Sequence, residues 1–227
     1  RHMNNKTPKR DAARRALLQA SLPHVAFDGW TLMVMRAGAE DAGLPAADVE
    51  RLFPDGPDEL VAFFVAESDR AMEAELQRRN LGNMRVRDRI ATAVRVRLEQ
   101  HADHREAIRR ALALQAMPHN GPGGLKALYR TVDAMWHAAG DTATDYNFYS
   151  KRLLLSGVYL STLLFWLNDG SDDFADTWAF LDRRIENVMQ IEKLKGRVSK
   201  WLPAPEGLVN KALRGRRASP FDVFRSA

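Results

Sequence analysis

The chain contains no cysteine among its 227 residues, which removes a disulfide framework, a thiolate nucleophile and a thiolate metal site, and suits a reducing compartment. Histidine is scarce: His101 and His104 stand three apart and can share a helix face, but no third ligand lies near them, so no metal site is expected. There is no glycine-rich phosphate loop, no Gly-x-Ser-x-Gly elbow and no nucleophile–base arrangement, which leaves an enzyme with its own active site as the weakest reading. Asn168 to Asp173 hints at a calcium loop but lacks the distal bidentate Glu, and serves better as a helix cap. Long apolar runs are also missing. The longest uncharged one, Leu153 to Leu167, is interrupted by Ser156, Gly157, Ser161 and Thr162 and falls short of the roughly 20 residues of a membrane span; it reads as a core helix. Arg1-His2-Met3 has the look of a tag remnant, and Asn4 to Arg10 is polar and basic with no apolar stretch. No secretion signal is expected, and a cytoplasmic location is.

What is present is ordinary globular composition, 45% hydrophobic and 28% charged, with glycine and proline placed mainly between periodic segments. Strand-like alternation is absent, and helical periodicity predicts an all-α protein of about ten helices near residues 9–21, 31–42, 46–53, 58–80, 85–100, 105–117, 123–139, 146–168, 174–196 and 206–216. The expected organisation is a tag remnant and disordered start over 1–8, a helix-turn-helix-like subdomain over 9–57, a larger helical domain over 58–196 that binds ligand and dimerises, and a linker with a basic amphipathic helix over 197–227. Pro203-Ala204-Pro205 serves as the stiff part of that linker.

Charge is unevenly divided. The net charge is +5, but Lys193 to Ala227 alone carries nine basic and two acidic residues, a net of +7, which leaves −2 for the rest. Attraction to phosphate-bearing partners belongs to the tail. Ala37 to Pro54 has the helix, glycine turn and second helix of a helix-turn-helix and resembles the TetR family of regulators. Yet Glu40 to Glu59 holds seven acidic residues and one basic, Arg51, where DNA binding needs Lys and Arg to neutralise phosphates. No DNA partner is expected, although a TetR-type ligand-responsive repressor stays as the alternative, because Lys6, Lys9, Arg10, Arg14 and Arg15 precede the motif.

Two blocks carry a more specific likeness. Phe27-Asp28-Gly29-Trp30-Thr31 leads into Gly38-Ala39-x-x-Ala42-Gly43-Leu44. Further on, Asp145-Tyr146-Asn147-Phe148-Tyr149-Ser150-Lys151-Arg152 precedes Ser171-Asp172-Asp173-Phe174-Ala175-Asp176-Thr177-Trp178-Ala179-Phe180-Leu181-Asp182-Arg183-Arg184-Ile185. From about residue 9 to 196 the chain resembles the COQ-nine accessory proteins of ubiquinone (coenzyme Q) biosynthesis. The resemblance implies a TetR-like, non-catalytic protein that needs no cofactor, binds isoprenoid lipid at the membrane, and presents ubiquinone precursors to a pathway hydroxylase such as the di-iron COQ-seven enzyme. Phe148 stands where that family usually has Trp, which keeps contact area and loses the indole donor.

Three candidate sites follow. The helix from Tyr146 to Asn168 is apolar nearly all round, so it must be surrounded by core, by a second copy or by ligand. Its lipid-binding candidates are Leu153, Leu154, Gly157, Val158, Leu160, Ser161, Leu164 and Phe165, with Trp136 and Trp178 nearby, since apolar ligands sit among aliphatic and aromatic side chains. Asp145 suits a helix N-cap. Phe148 and Arg152 lie four apart on one face beside Tyr149, a composition common at interface hot spots; the resemblance implies that Asp145, Asn147, Phe148, Tyr149 and Arg152 dock the hydroxylase. In the tail, Leu208, Val209, Ala212 and Leu213 form an apolar stripe, with Lys211, Arg214, Arg216 and Arg217 elsewhere. That pattern fits an anionic membrane surface as well as a solvated terminal helix. The whole is expected to be a homodimer, peripheral to the inner membrane.

Overall fold

The computed structural model describes the backbone of residues 6–79, 81–140 and 146–201 and the side chains of 9–79, 81–140 and 150–190. Among them no strand occurs. The helices are α1 (Lys6–Asp28), α2 (Leu32–Asp41), α3 (Ala47–Leu52), α4 (Pro57–Arg78), α5 (Val86–Glu99), α6 (Arg105–Gln115), α7 (Gly121–Ala138), α8 (Tyr146–Trp166) and α9 (Ala175–Trp201), with short 3-10 turns at Leu81–Asn83, Ala102–His104 and Asp172–Phe174. The chain packs as two units, Arg1–Arg183 and Arg184–Ala227. Of the second, the continuation of α9 to Trp201 is described, and the helix expected at 206–216 lies outside the described residues.

Local chemistry accounts for most boundaries. Thr31 caps α2 by accepting from the Val34 amide at 3.3 Å, an N-cap contact worth about 1 kcal/mol. The same helix ends in a Schellman motif: Gly43, at φ +65°, donates to the Glu40 carbonyl at 3.0 Å while Leu44 donates to Ala39 at 2.8 Å, a left-handed turn that glycine adopts without a Cβ penalty. Pro57 opens α4 where its missing N–H costs nothing. The sequence reading stops α1 at residue 21, before Pro23, but the helix runs on to Asp28. Leu22 and Val25 of that last stretch are buried, and their packing outweighs the lost backbone hydrogen bond at the proline.

The helix-turn-helix is held by close packing. A Cβ at Gly38 would lie 2.2 Å from Ser21 Oγ and 2.9 Å from the Ser21 amide nitrogen, so α1 and α2 meet at a distance that only glycine permits. Arg14 of α1 pairs with Glu59 of α4 at 2.8 Å, and its guanidinium covers the rings of Phe53 and Phe63 at 4.4 and 4.5 Å. Trp30 donates to the Ala107 carbonyl on α6 at 3.0 Å and sits 5.4 Å from the Phe64 ring, tying this subdomain to the larger bundle. There α4 packs on α5 and α7, α7 on α8, and α5 on α7 and α8.

Candidate ligand cavity and the surfaces around it

Helices α4, α5, α6, α7 and α8 leave a cavity of about 340 Å³ between them, within the first packing unit. Its wall includes Phe64 and Val65 of α4, Ile108, Ala111 and Leu112 of α6, Leu125 and Leu128 of α7, and Leu160 and Leu163 of α8. The volume falls at the lower end of the roughly 300–1,000 Å³ typical of small-molecule sites.

The wall is apolar except for Gln115 of α6, which lies beside Gly124, and a polar cluster at one end. Arg97 of α5 and Thr131 of α7 line it with Tyr159 of α8, and all three are more than nine-tenths buried. Arg97 Nε donates to Asp69 Oδ1 at 3.2 Å, and the Thr131 hydroxyl lies 2.9 and 3.0 Å from the two Asp69 oxygens. Arg130 approaches the same carboxylate at 3.5 Å from a half-exposed position. Burial pushes the Tyr159 phenol up, against the opposing pull of Arg97, so at neutral pH it is a hydroxyl donor. Behind this end, His101 contacts Ser68 Oγ at 2.8 Å and the Phe64 ring. Its pKa is lowered to about 3, first by burial and then by Arg97 and His104. That keeps the imidazole neutral, with its ring nitrogen against the Ser68 hydroxyl.

The two faces of α8 differ. Leu155, Val158, Tyr159, Thr162, Leu163, Trp166 and Leu167 are buried, whereas Leu153 is 75% exposed and Leu164 51% exposed. With Gly157 and Leu160 they form an outward apolar stripe at i, i+4, i+7 and i+11. Core burial expected for the whole run Leu153–Leu167 therefore describes only one face.

Of the residues expected to bind lipid, the cavity wall takes Leu160. Leu153, Gly157 and Leu164 lie on the outward stripe, Val158 is in the core, and Leu154 is half-buried. Ser161 hydrogen-bonds back to the Val158 carbonyl at 3.1 Å. Phe165 stacks on Phe180 at 4.6 Å. Trp136 donates to the Lys151 carbonyl at 3.1 Å, fastening α8 to α7, and Trp178 donates to the Asp173 carbonyl at 2.8 Å beneath the Arg95 guanidinium. Both indoles are thus committed away from the cavity. In the expected docking block, Asp145 and the side chains of Asn147, Phe148 and Tyr149 lie outside the described residues. Arg152 does not stand on an open face: it is buried, and its Nε donates to Asp133 at 2.6 Å. The tail candidates from Leu208 to Arg217 are likewise outside the described residues.

The C-terminal end of α8 is closed by α6. Arg105 Nη2 donates to the carbonyls of Trp166 and Asp169 at 2.5 and 2.8 Å, and Arg109 Nη2 donates to Leu167 at 2.6 Å. Cations thereby meet the orphan carbonyls and negative end of the helix. Beyond it, the segment read as a cap rather than a calcium loop is organised by Asp169, which accepts from Ser171 N and Oγ at 2.8 and 2.7 Å and from Thr177 N and Oγ1 at 2.9 and 2.5 Å. Burial raises this carboxyl, but those hydrogen bonds, led by the Thr177 hydroxyl, outweigh it and lower its pKa to about 2. No helix among the described residues is long and apolar enough to cross a membrane.

This architecture is that of the TetR-type regulators. A TetR transcriptional regulator from Nitrosomonas europaea superposes with a TM-score of 0.64 over 78% of this chain and 97% of its own, at 21% identity. A second from Rhodococcus sp. RHA1 gives 0.56 over 80% and 97%, at 16% identity. The likeness is one of fold. Sequence narrows it further: residues 121–192 match the COQ9 family. The chain is 36% identical to the human ubiquinone biosynthesis protein COQ9, mitochondrial, over 77% of this chain and 57% of that protein. The rat protein is 37% identical over 77% and 58%, and that of Drosophila melanogaster 32% over 83% and 59%. The chain carries a domain of the COQ9 family over residues 121–192, and it spans less than two thirds of the length of these relatives.

Proposed function

We propose that this chain is a non-catalytic accessory protein of ubiquinone biosynthesis that holds the ring end of an isoprenoid quinone precursor in the α4–α8 cavity and presents it to a membrane-bound hydroxylase of the COQ-seven type. The apolar cavity in a chain that carries a COQ9-family domain supports this reading most directly. Its volume suits a ring with a short length of chain rather than a long polyprenyl tail, the rest of which would leave through the open side. Docking is assigned to the Asp145–Arg152 block, with Arg152 holding α8 on α7 beneath the contact. Peripheral attachment to the inner membrane is assigned to the basic tail, where each Lys or Arg near an anionic surface contributes about 1 kcal/mol. The charge-free stripe Leu153, Gly157, Leu160 and Leu164 supports a homodimer through α8. On α3, Glu50 pairs with Arg36 and Asp48 with Arg51, so the helix-turn-helix directs its few arginines to its own carboxylates rather than to phosphates.

Mass spectrometry of an organic extract of the purified protein is expected to recover quinone or prenylated phenol species; repeated recovery of nothing refutes lipid binding. Removal of residues 203–227 is expected to weaken association with anionic vesicles sharply, and unchanged association removes the tail from the scheme.

A further inference from the structure

We infer that Arg97, with Tyr159 beside it, reads an oxygen acceptor on the head of the bound ligand, so that the cavity selects a ring carrying carbonyl or hydroxyl oxygen over a hydrocarbon of the same shape. This rests on the ligand cavity proposed above and adds the chemistry by which it discriminates. The first observation is the place of the polar groups: apart from Gln115 beside Gly124, the polar side chains of the wall are a guanidinium, a phenol and a threonine hydroxyl clustered at one end, each more than nine-tenths buried.

The second is their unused capacity. Arg97 spends Nε on Asp69, and its two terminal nitrogens make no hydrogen bond among the described residues. The Tyr159 hydroxyl makes none either, whereas Thr131 is engaged with Asp69 and with the Ala127 carbonyl. Both groups are carried by residues of the cavity wall, where a ligand oxygen can take up the hydrogen bonds that the described residues leave open.

The third is charge. One carboxylate, Asp69, faces two guanidiniums, Arg97 at 3.2 Å and Arg130 at 3.5 Å. The cluster is therefore suited to an acceptor and unsuited to a cationic head. Because Asp69 holds Nε, the guanidinium plane is fixed and its remaining N–H groups are presented as a fork.

Two probes of the same ring size and chain length separate head recognition from simple apolar binding: decyl-1,4-benzoquinone and decylbenzene, titrated into the delipidated full chain with tryptophan fluorescence and calorimetry as readouts. The quinone is expected to bind at least about tenfold tighter, as for a hydrogen bond to a charged donor in a buried site. The Asp69→Asn/Arg97→Gln double variant, which removes both charges together, is expected to bind the two probes with about equal affinity while keeping its affinity for decylbenzene. Tyr159→Phe, a smaller change, is expected to reduce the preference by about threefold.

Equal binding of both probes to the unaltered chain overturns head recognition and leaves the cavity reading intact; binding of neither overturns both. A preference that persists undiminished in a double variant shown by its melting curve to be folded also overturns it. Should that variant not fold, the unaltered chain and Tyr159→Phe still decide the question.

Discussion

Replacing Ala111 by Leu asks whether the cavity is space in the folded protein. Ala111 lies on α6, is 5% exposed, and its side chain forms part of the wall. Leu adds three carbons. In a close-packed interior that addition forces neighbours off their rotamers and costs about 1–3 kcal/mol. In an empty apolar space each added carbon gains about 0.8 kcal/mol of burial, a ceiling of about 2.4 kcal/mol. Ordering the longer side chain takes back about 0.5–1 kcal/mol. The delipidated variant is therefore expected to be more stable than the parent by about 1–2 kcal/mol, which for a chain of this size raises the melting temperature by roughly 2–8 °C.

Ligand reverses the comparison. A bound molecule stabilises the parent in proportion to its occupancy, and the variant, with part of the space filled, is expected to gain less from decyl-1,4-benzoquinone. Urea unfolding of both proteins, delipidated and at saturating quinone, reads both effects together. A delipidated Ala111→Leu protein that is less stable than the parent refutes the argument, because it means α6 and α7 pack without a void. So does a variant stabilised by quinone as strongly as the parent.

Three further outcomes follow from geometry. Gly38→Ala is expected to destabilise by about 1–3 kcal/mol, since its Cβ would meet Ser21 backbone at 2.9 Å, and Ser21→Ala in the same chain should restore little of it; an unchanged urea midpoint contradicts the close approach of α1 and α2. The His101 imidazole, lowered to about 3 from 6.5, makes the unfolded chain bind more protons than the native one between those values, so its contribution to stability is complete above about pH 6.5 and is lost as pH falls, at up to about 1.4 kcal/mol per pH unit. His101→Gln is expected to flatten the stability profile between pH 6.5 and 5, above the carboxylate range, and parallel profiles disprove the assignment. Asp169→Asn turns an amide toward the Thr177 and Ser171 donors and is expected to cost about 2 kcal/mol, read by urea unfolding at pH 7; a loss under 0.5 kcal/mol, on the order of an ordinary surface substitution, contradicts its capping role.

Much of the helical frame is legible because its signals are local. Gly43, Pro57 and Thr31 terminate or start helices through their own backbone chemistry, and each does so near the residue expected. Pro23 misleads for the same reason: its local effect is to break a helix, but the burial of Leu22 and Val25 is a tertiary effect that no local rule contains. The cavity is illegible in a different way. Its wall is assembled from five helices, and the apolar sequence of α8 says that the helix is covered without saying by what. A signal was available in the charged residues at core-facing positions. Asp69 stands on the α4 face marked by Phe64, Ser68 and Met72, and Arg97 on the α5 face marked by Ile90, Ala93 and Val94. Charges at such positions are rarely buried unless paired, so reading them as partners would have placed α4 against α5 and pointed to the polar end of the cavity.

That pair also bears on why the cavity exists in this form. A buried ion pair gives little net stability, because desolvation offsets most of the attraction, and well-packed apolar residues of similar volume often do as well or better. The second guanidinium, Arg130, is half-exposed and could reach solvent without Asp69. Stability of the bundle alone therefore does not explain Asp69, Arg97 and Thr131 in its interior. Elsewhere in the molecule the arginines have plain structural uses: Arg14 fastens α1 to α4, while Arg105 and Arg109 close the end of α8. Arg97 stands in the cavity wall with its terminal nitrogens making no hydrogen bond among the described residues, and under the head recognition inferred above it is the occupant that supplies their acceptor. In the helix-turn-helix, by contrast, Arg36 pairs with Glu50 and Arg51 with Asp48, so under the proposed function the ligand end of the fold carries the chemistry while the helix-turn-helix contributes its shape.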